Sequence, residues 1–321
     1  MKRALICGIS GQDGSYLAKL LLNKGYQVWG TSRDAQIANR SNLKLLGISE
    51  QVTITSMAQS DFRSVLNALT RAEPDEIYFL SGQSSVGLSF DQPAETIESI
   101  TSGTLNLLEA IRFLGGNIRM YHASSSECFG DVAINEKADE LTPFRPRSPY
   151  GVAKASAHWL VANYREAYGL FCCNGILFNH ESPLRPSRFV TRKIVSTAYR
   201  IANGSSERLE LGKVDIMRDW GWAPDFVDAM WRMLQQTEAD DYVIATGKSH
   251  SLKNFISEAF QCLDLNWEDH VDINNDLFRP SEIIHSAGNP KKAETILNWS
   301  SSTQFPELIA RLVDFEKDTH E

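Results

Sequence analysis

The chain has 321 residues, 42% of them hydrophobic and 22% charged, which fits a soluble globular protein with core enough for two lobes. A formal net charge of −8 argues against nonspecific binding to nucleic acid or to an anionic membrane surface, since both need a basic face. No run approaches the ~20 apolar residues of a membrane span, and the five cysteines lack paired metal-ligand spacing, so reduced thiols, no metal site and a cytoplasmic location are expected.

Taken in chain order, the apolar stretch after Met1-Lys2-Arg3 is broken at Gly8, too early for a secretory segment. Ala4 to Cys7 reads as a first strand, then Gly8, Gly11 and Gly14 form a turn, and Gly14 to Lys24 has helical spacing. Glycines there let the backbone approach a pyrophosphate, whose charge suits a helix N-terminus. The spacing is G-x-x-G-x-x-G rather than G-x-G-x-x-G. A second strand, Gln27 to Gly30, leads into Thr31-Ser32-Arg33-Asp34. An acid at the end of such a strand would bind a free ribose hydroxyl and repel a 2′-phosphate; Ser32 with Arg33 beside it favours NADP, with Arg40 as a second cation if the loop folds back.

Further strands are expected at Val52 to Ser56, Glu76 to Leu80, Arg119 to Ala123 and Cys173 to Phe178, with helices at Asp61 to Ala72, Ala94 to Leu114 and Pro149 to Tyr168. Tyr242 to Thr246 looks like a strand returning to the same sheet. This alternation implies an α/β chain with a Rossmann-like, doubly wound parallel sheet and a smaller mixed α/β lobe. The cofactor domain is expected at 1–178 with a returning segment near 215–248. The substrate lobe is expected at 179–214 and 249–321, where composition turns richer in Arg, Asn and Pro.

Tyr150 and Lys154 stand four residues apart in Ser148-Pro149-Tyr150-Gly151-Val152-Ala153-Lys154, one face of a helix. The ammonium is expected to favour phenolate and lower the tyrosine pKa, so that the phenol takes a proton from a substrate hydroxyl while hydride leaves the same carbon. Glu127, in Ala123-Ser124-Ser125-Ser126-Glu127, adds a carboxyl at a strand end.

These motifs resemble the extended short-chain dehydrogenase/reductase superfamily and, within it, the GDP-mannose 4,6-dehydratases. The specific stretches are Gly8-Ile9-Ser10-Gly11-Gln12-Asp13-Gly14, Arg147-Ser148-Pro149-Tyr150-Gly151, Asn179-His180-Glu181-Ser182-Pro183, Phe189-Val190-Thr191-Arg192-Lys193 and Arg218-Asp219-Trp220-Gly221. The resemblance implies bound NADP, a GDP-sugar substrate and loss of water across C5 and C6. It gives Ser125 (where the family typically has threonine), Glu127, Tyr150 and Lys154 the chemistry. It gives Gly8, Gly11, Gln12, Asp13, Gly14, Arg33, Leu80, Leu177, Asn179 and His180 cofactor contacts, shared with Tyr150 and Lys154.

For the substrate it implies Lys193 and Arg218 on the diphosphate, Arg279 and Glu282 near the nucleotide ribose, Asn179, Val190 and Gly212 at other contacts, and Ser84 and Ser85 beside the sugar. Histidine is commoner at the Ser85 position, which leaves a GDP-heptose substrate open. Ala58-Gln59 replaces a family Asp that contacts adenine, and Arg33-Asp34 stands where the family has paired arginines in the loop that helps build a tetramer. A homodimer or homotetramer is expected. Two readings compete: a reductase or epimerase of GDP-4-keto-6-deoxy sugars, which would not need Glu127, and a noncatalytic NADP-binding sensor, which would not need Tyr150.

Overall fold

The computed structural model describes residues 1–320. Its strands are β1 (Arg3–Cys7), β2 (Gln27–Ser32), β3 (Thr53–Ser56), β4 (Glu76–Phe79), β5 (Arg119–Ser125), β6 (Cys172–Leu177), β7 (Asn179–Glu181), β8 (Leu209–Leu211), β9 (Met217–Trp222), β10 (Tyr242–Ile244), β11 (Ser249–Ser251) and β12 (Val271–Ile273). Its helices are α1 (Gln12–Asn23), α2 (Ser41–Leu45), α3 (Phe62–Ala72), α4 (Val86–Asp91), α5 (Pro93–Ile97), α6 (Gly103–Leu114), α7 (Pro149–Tyr168), α8 (Val190–Ala202), α9 (Ala223–Met233), α10 (Leu252–Gln261), α11 (Lys291–Ile296) and α12 (Phe305–His320).

A seven-stranded sheet runs in the order β10-β6-β5-β4-β1-β2-β3, with every pairing parallel. Strand order reverses between β1 and β4, and in such sheets that reversal opens a crevice beyond the carboxyl ends of the strands. Period-two alternation explains why both faces are covered. Ala4 and Ile6 of β1 pack with Leu17 and Leu21 of α1 and Phe226 of α9, while Leu5 and Cys7 pack with Val65 of α3, Leu107 of α6 and Val161 of α7. Each fully buried large side chain of this kind contributes roughly 1.5–3 kcal/mol.

A second core gathers Ile194 and Val195 of α8, Phe255 and Ile256 of α10, and Leu308 and Leu312 of α12. Beside it lie a three-stranded sheet, β11-β9-β7, and a two-stranded one, β12-β8. No helix among the described residues is long and apolar enough to cross a membrane.

The Rossmann-like sheet expected from the sequence is present, and most predicted elements fall within two residues of the observed ones. The helix predicted from Ala94 to Leu114 is instead α5, a π-helical turn at Glu98–Ser102, and α6. Side chains draw off carbonyls at the break: Gln59 Nε2 donates to Ser99 O at 2.8 Å and Thr104 Oγ1 to Ile100 O at 2.7 Å. β5 also runs two residues further than expected, making Ser125 its last residue.

Gly14 shows how little room the first turn leaves. A Cβ there would meet Gly8 O at 2.3 Å and Ile9 Cα at 2.7 Å, both backbone atoms. Gly14→Ala is therefore expected to shift the turn, costing about 1–3 kcal/mol in a thermal melt and lowering dinucleotide affinity more than stability alone explains. Unchanged melting and unchanged cofactor binding would show the turn to be slack.

Candidate active site

A cleft of about 370 Å3 opens beyond the carboxyl ends of β4, β5 and β6. Ser125, Glu127, Tyr150 and Lys154 all line it. Leu80 and Leu177, one residue past β4 and at the end of β6, form its floor with Asp13, Asn179 and His180. Ser84, Ser85, Val190, Lys193, Gly212, Arg218, Arg279 and Glu282 complete its lining. Gly8, Gly11, Gln12, Gly14 and Arg33 are not part of this lining; they follow the glycine turn and the end of β2.

Local sequence sets the wall that carries Ser125, Glu127, Tyr150 and Lys154. Ser148 caps α7, its Oγ accepting from Gly151 N at 3.0 Å, and Pro149 takes the first helical position, where a missing N–H is harmless. Tyr150 and Lys154 then share one helical face. Ser125 Oγ accepts from Glu127 N at 3.3 Å, curling the chain after β5 into a tight turn. A Cβ on Gly151 would lie 2.8 Å from Glu127 O, so the helix start packs directly against that turn.

The electrostatics correct one expectation. Lys154 Nζ donates to Ala123 O at 2.7 Å and lies 5.8 Å from the centre of the Tyr150 ring. Burial pushes the Tyr150 phenol up rather than down; a hydrogen bond with Ser125 and the charge of Arg185 oppose this, and Glu127 adds to it. Burial likewise lowers Lys154 to about 8. Burial raises Glu127 too, against the pull of Arg218 and Arg279. A carboxyl with a raised pKa is suited to give back a proton that it has just taken.

The glycine turn fits a dinucleotide. Gly8 adopts φ +88°, and Gly11 begins the twelve-residue α1 without a side-chain cap, leaving first-turn amides for an anion. The Gln12 side chain is spent elsewhere: Nε2 donates to His180 O at 3.1 Å, and Oε1 accepts from Ser182 at 2.8 Å. Asp13 Oδ2 sits 2.9 Å from His180 Nε2, while Phe178 O holds the other ring nitrogen at 2.7 Å. Burial alone would raise Asp13, but the His180 charge and hydrogen bonds bring it down to about 2. Arg33 is exposed just past β2, whereas Asp34 turns back to accept from Gln36 N at 2.8 Å. The Arg40 guanidinium donates to Ser49 O at 2.9 Å. Gln59 is tied to Ser81 and Ser99.

Arg218 donates to Glu282 at 2.9 Å and to Met217 and Ile283 carbonyls, and Arg279 reaches the same carboxylate at 3.2 Å. Lys193 Nζ donates to Glu210 O at 2.6 Å. Gly212 is confined: a Cβ would come within 2.8 Å of Leu277 O. Ser85 caps α4, with Gln83 wrapped around its backbone. Sequence reasoning missed Arg185 and Arg188, which line the cleft from the loop before α8. The basic, proline-broken run Arg185-Pro186-Ser187-Arg188 was the available signal.

Comparison with known proteins gives a consistent result. Residues 5–312 match the GDP-mannose 4,6 dehydratase family. The chain is 45% identical over 323 residues to GDP-mannose 4,6 dehydratase 1 of Arabidopsis thaliana, covering 98% of this chain and 89% of that one. It is 45% identical over 338 residues to GDP-mannose 4,6 dehydratase 2 of Caenorhabditis elegans, covering 97% and 88%. Among solved structures it resembles a Thermus thermophilus UDP-glucose 4-epimerase complexed with NAD, with a TM-score of 0.86, 25% identity and coverage of 98% and 99%.

Proposed function

The chain belongs to the GDP-mannose 4,6-dehydratase family, and from that premise we infer how its cleft converts GDP-mannose to GDP-4-keto-6-deoxy-mannose, as a carbon–oxygen lyase. The observation that carries the reading is Glu127 beside Ser125, Tyr150 and Lys154 in one cleft. Redox at C4 uses the last three; only elimination calls for a carboxyl base at C5.

When held at the turn of Gly8, Gly11 and Gly14, a nicotinamide dinucleotide would supply a reversible hydride acceptor, with none consumed over the full reaction. Ser125 hydrogen-bonds the C4 oxygen and Tyr150 takes the C4 hydroxyl proton. The Ser125 hydrogen bond and the Arg185 charge are the features that favour its phenolate. Lys154 braces the wall through Ala123 O. Once C4 is a ketone, the C5 proton is acidified; Glu127 removes it, and the electron pair expels the C6 hydroxyl, which leaves as water with the proton that Glu127 returns. C5 regains a proton from solvent when C6 is reduced, and Tyr150 releases to solvent the one it took from the C4 hydroxyl, so the protons balance.

The dinucleotide is NADP, read by Arg33, an exposed cation beside an acid turned into its own loop. Arg33→Met is expected to weaken NADP binding roughly tenfold and NAD binding little; equal losses in fluorescence titrations would remove Arg33 from 2′-phosphate recognition. Residues 1–178 with 215–248 form the cofactor lobe, and 179–214 with 249–321 the substrate lobe. Leu105 and Phe113 of α6 and Val152 and Trp159 of α7 expose apolar surface, which supports a homodimer across these helices, the alternative being a homotetramer. Five unpaired thiols support a cytoplasmic location. The direct test is purified protein with GDP-mannose and catalytic NADP: mass spectrometry should find one water lost and no net reduction of cofactor. Unchanged sugar with cofactor bound would refute the assignment.

A further inference from the structure

The cleft is lined by seven lysines and arginines against five aspartates and glutamates, an excess of two positive charges in a chain of net charge −8. Most of those cations are committed. Arg218 and Arg279 share Glu282, and Arg185 lies 3.2 Å from Glu181. Lys154 and Lys193 each hold a backbone carbonyl. Arg188 and Lys213 remain: among the described residues neither has a hydrogen bond or an ion pair, and Arg188 has only the Phe189 ring, 5.3 Å from its guanidinium carbon. The Lys193–Glu210 hydrogen bond ties the first turn of α8 to β8. Arg188 precedes α8 and Lys213 follows β8, so that bond brings the two free cations to one side of the cleft.

We propose that Arg188 and Lys213 are the capture residues for the substrate's diphosphate, meeting its negative charges first as it enters the cleft where Lys193 and Arg218 also lie. The inference rests on the nucleotide-sugar reading of the cleft. A hydrated, unpaired side chain reorients onto a phosphate oxygen without breaking a protein contact, whereas Arg218 and Arg279 are already engaged with Glu282. Two exposed cations at a cleft mouth also draw an anion in from solution, an effect that salt screens.

Calorimetric titration of GDP into the intact protein tests this separately from turnover. Arg188→Met and Lys213→Met are each expected to raise the GDP dissociation constant roughly five- to tenfold, to affect GMP less, and together to flatten its dependence on sodium chloride. The loss with GDP-mannose falls on KM rather than kcat, and Arg188→Lys keeps most of the affinity. A double variant that binds GDP like the parent, with the same salt dependence, overturns the proposal. A parent protein that binds GDP with the expected variant pattern yet leaves GDP-mannose unchanged would refute the dehydratase reading and support the capture role.

Discussion

Glu127→Gln is expected to abolish water loss from GDP-mannose, lowering kcat by roughly 10²- to 10⁴-fold, the usual size of a lost general acid–base. The dinucleotide should bind nearly as before, because Glu127 lies on the turn after β5, away from Gly8 to Gly14. Folding should not suffer either. Burial raises the folded pKa of Glu127 above its unfolded value, so the folded state binds this proton more tightly and stability falls as pH rises through that interval. At neutral pH the ionised carboxylate is therefore a destabilising group, and glutamine, of the same shape and uncharged, is expected to melt no earlier. The same raised pKa predicts that the acidic limb of the parent's kcat profile lies above the ordinary carboxylate range. Full activity in Glu127→Gln would end the assignment of this residue as the C5 base.

Tyr150→Phe is the second large effect. Removing the phenol takes away the acceptor of the C4 hydroxyl proton, and turnover should fall by roughly 10²- to 10⁴-fold. This variant should stall before elimination, so exchange of the C5 proton with deuterated water disappears along with product. Glu127→Gln stalls one step later and should still oxidise C4, giving a transient absorbance from reduced cofactor in a single turnover. If Tyr150→Phe gave that transient as well, the phenol would not be the C4 base. Its raised pKa in the free cleft makes the Ser125 bond important, and Ser125→Ala should depress turnover in the same direction through the phenolate.

Sequence legibility followed the range of the interactions involved. Helix α7 is readable end to end because its signals are local: Ser148 caps it, Pro149 opens it and Gly169, at φ +67°, stops it. The sheet is readable because β1 alternates between two buried faces. The break between α5 and α6 is not, since Gln59 reaches Ser99 across forty residues of sequence. Co-location of Tyr150, Lys154 and Glu127 followed from motif and fold together, but their ionisation did not. Spacing puts the Lys154 ammonium near the phenol, while the Ala123 carbonyl that claims it, and the burial that raises Tyr150, exist only in the tertiary structure. Arg185 and Arg188 lie in a loop without periodicity, where nothing local tells a solvated charge from one facing a cleft.

In the dehydration proposed for this chain, one hydride leaves C4 and returns to C6 of the same sugar. GDP-mannose carrying deuterium at C4, incubated with the protein and unlabelled cofactor, should yield a product one water lighter with the deuterium at C6. Deuterium accumulating in the free cofactor pool, or a product without label at C6, would contradict it.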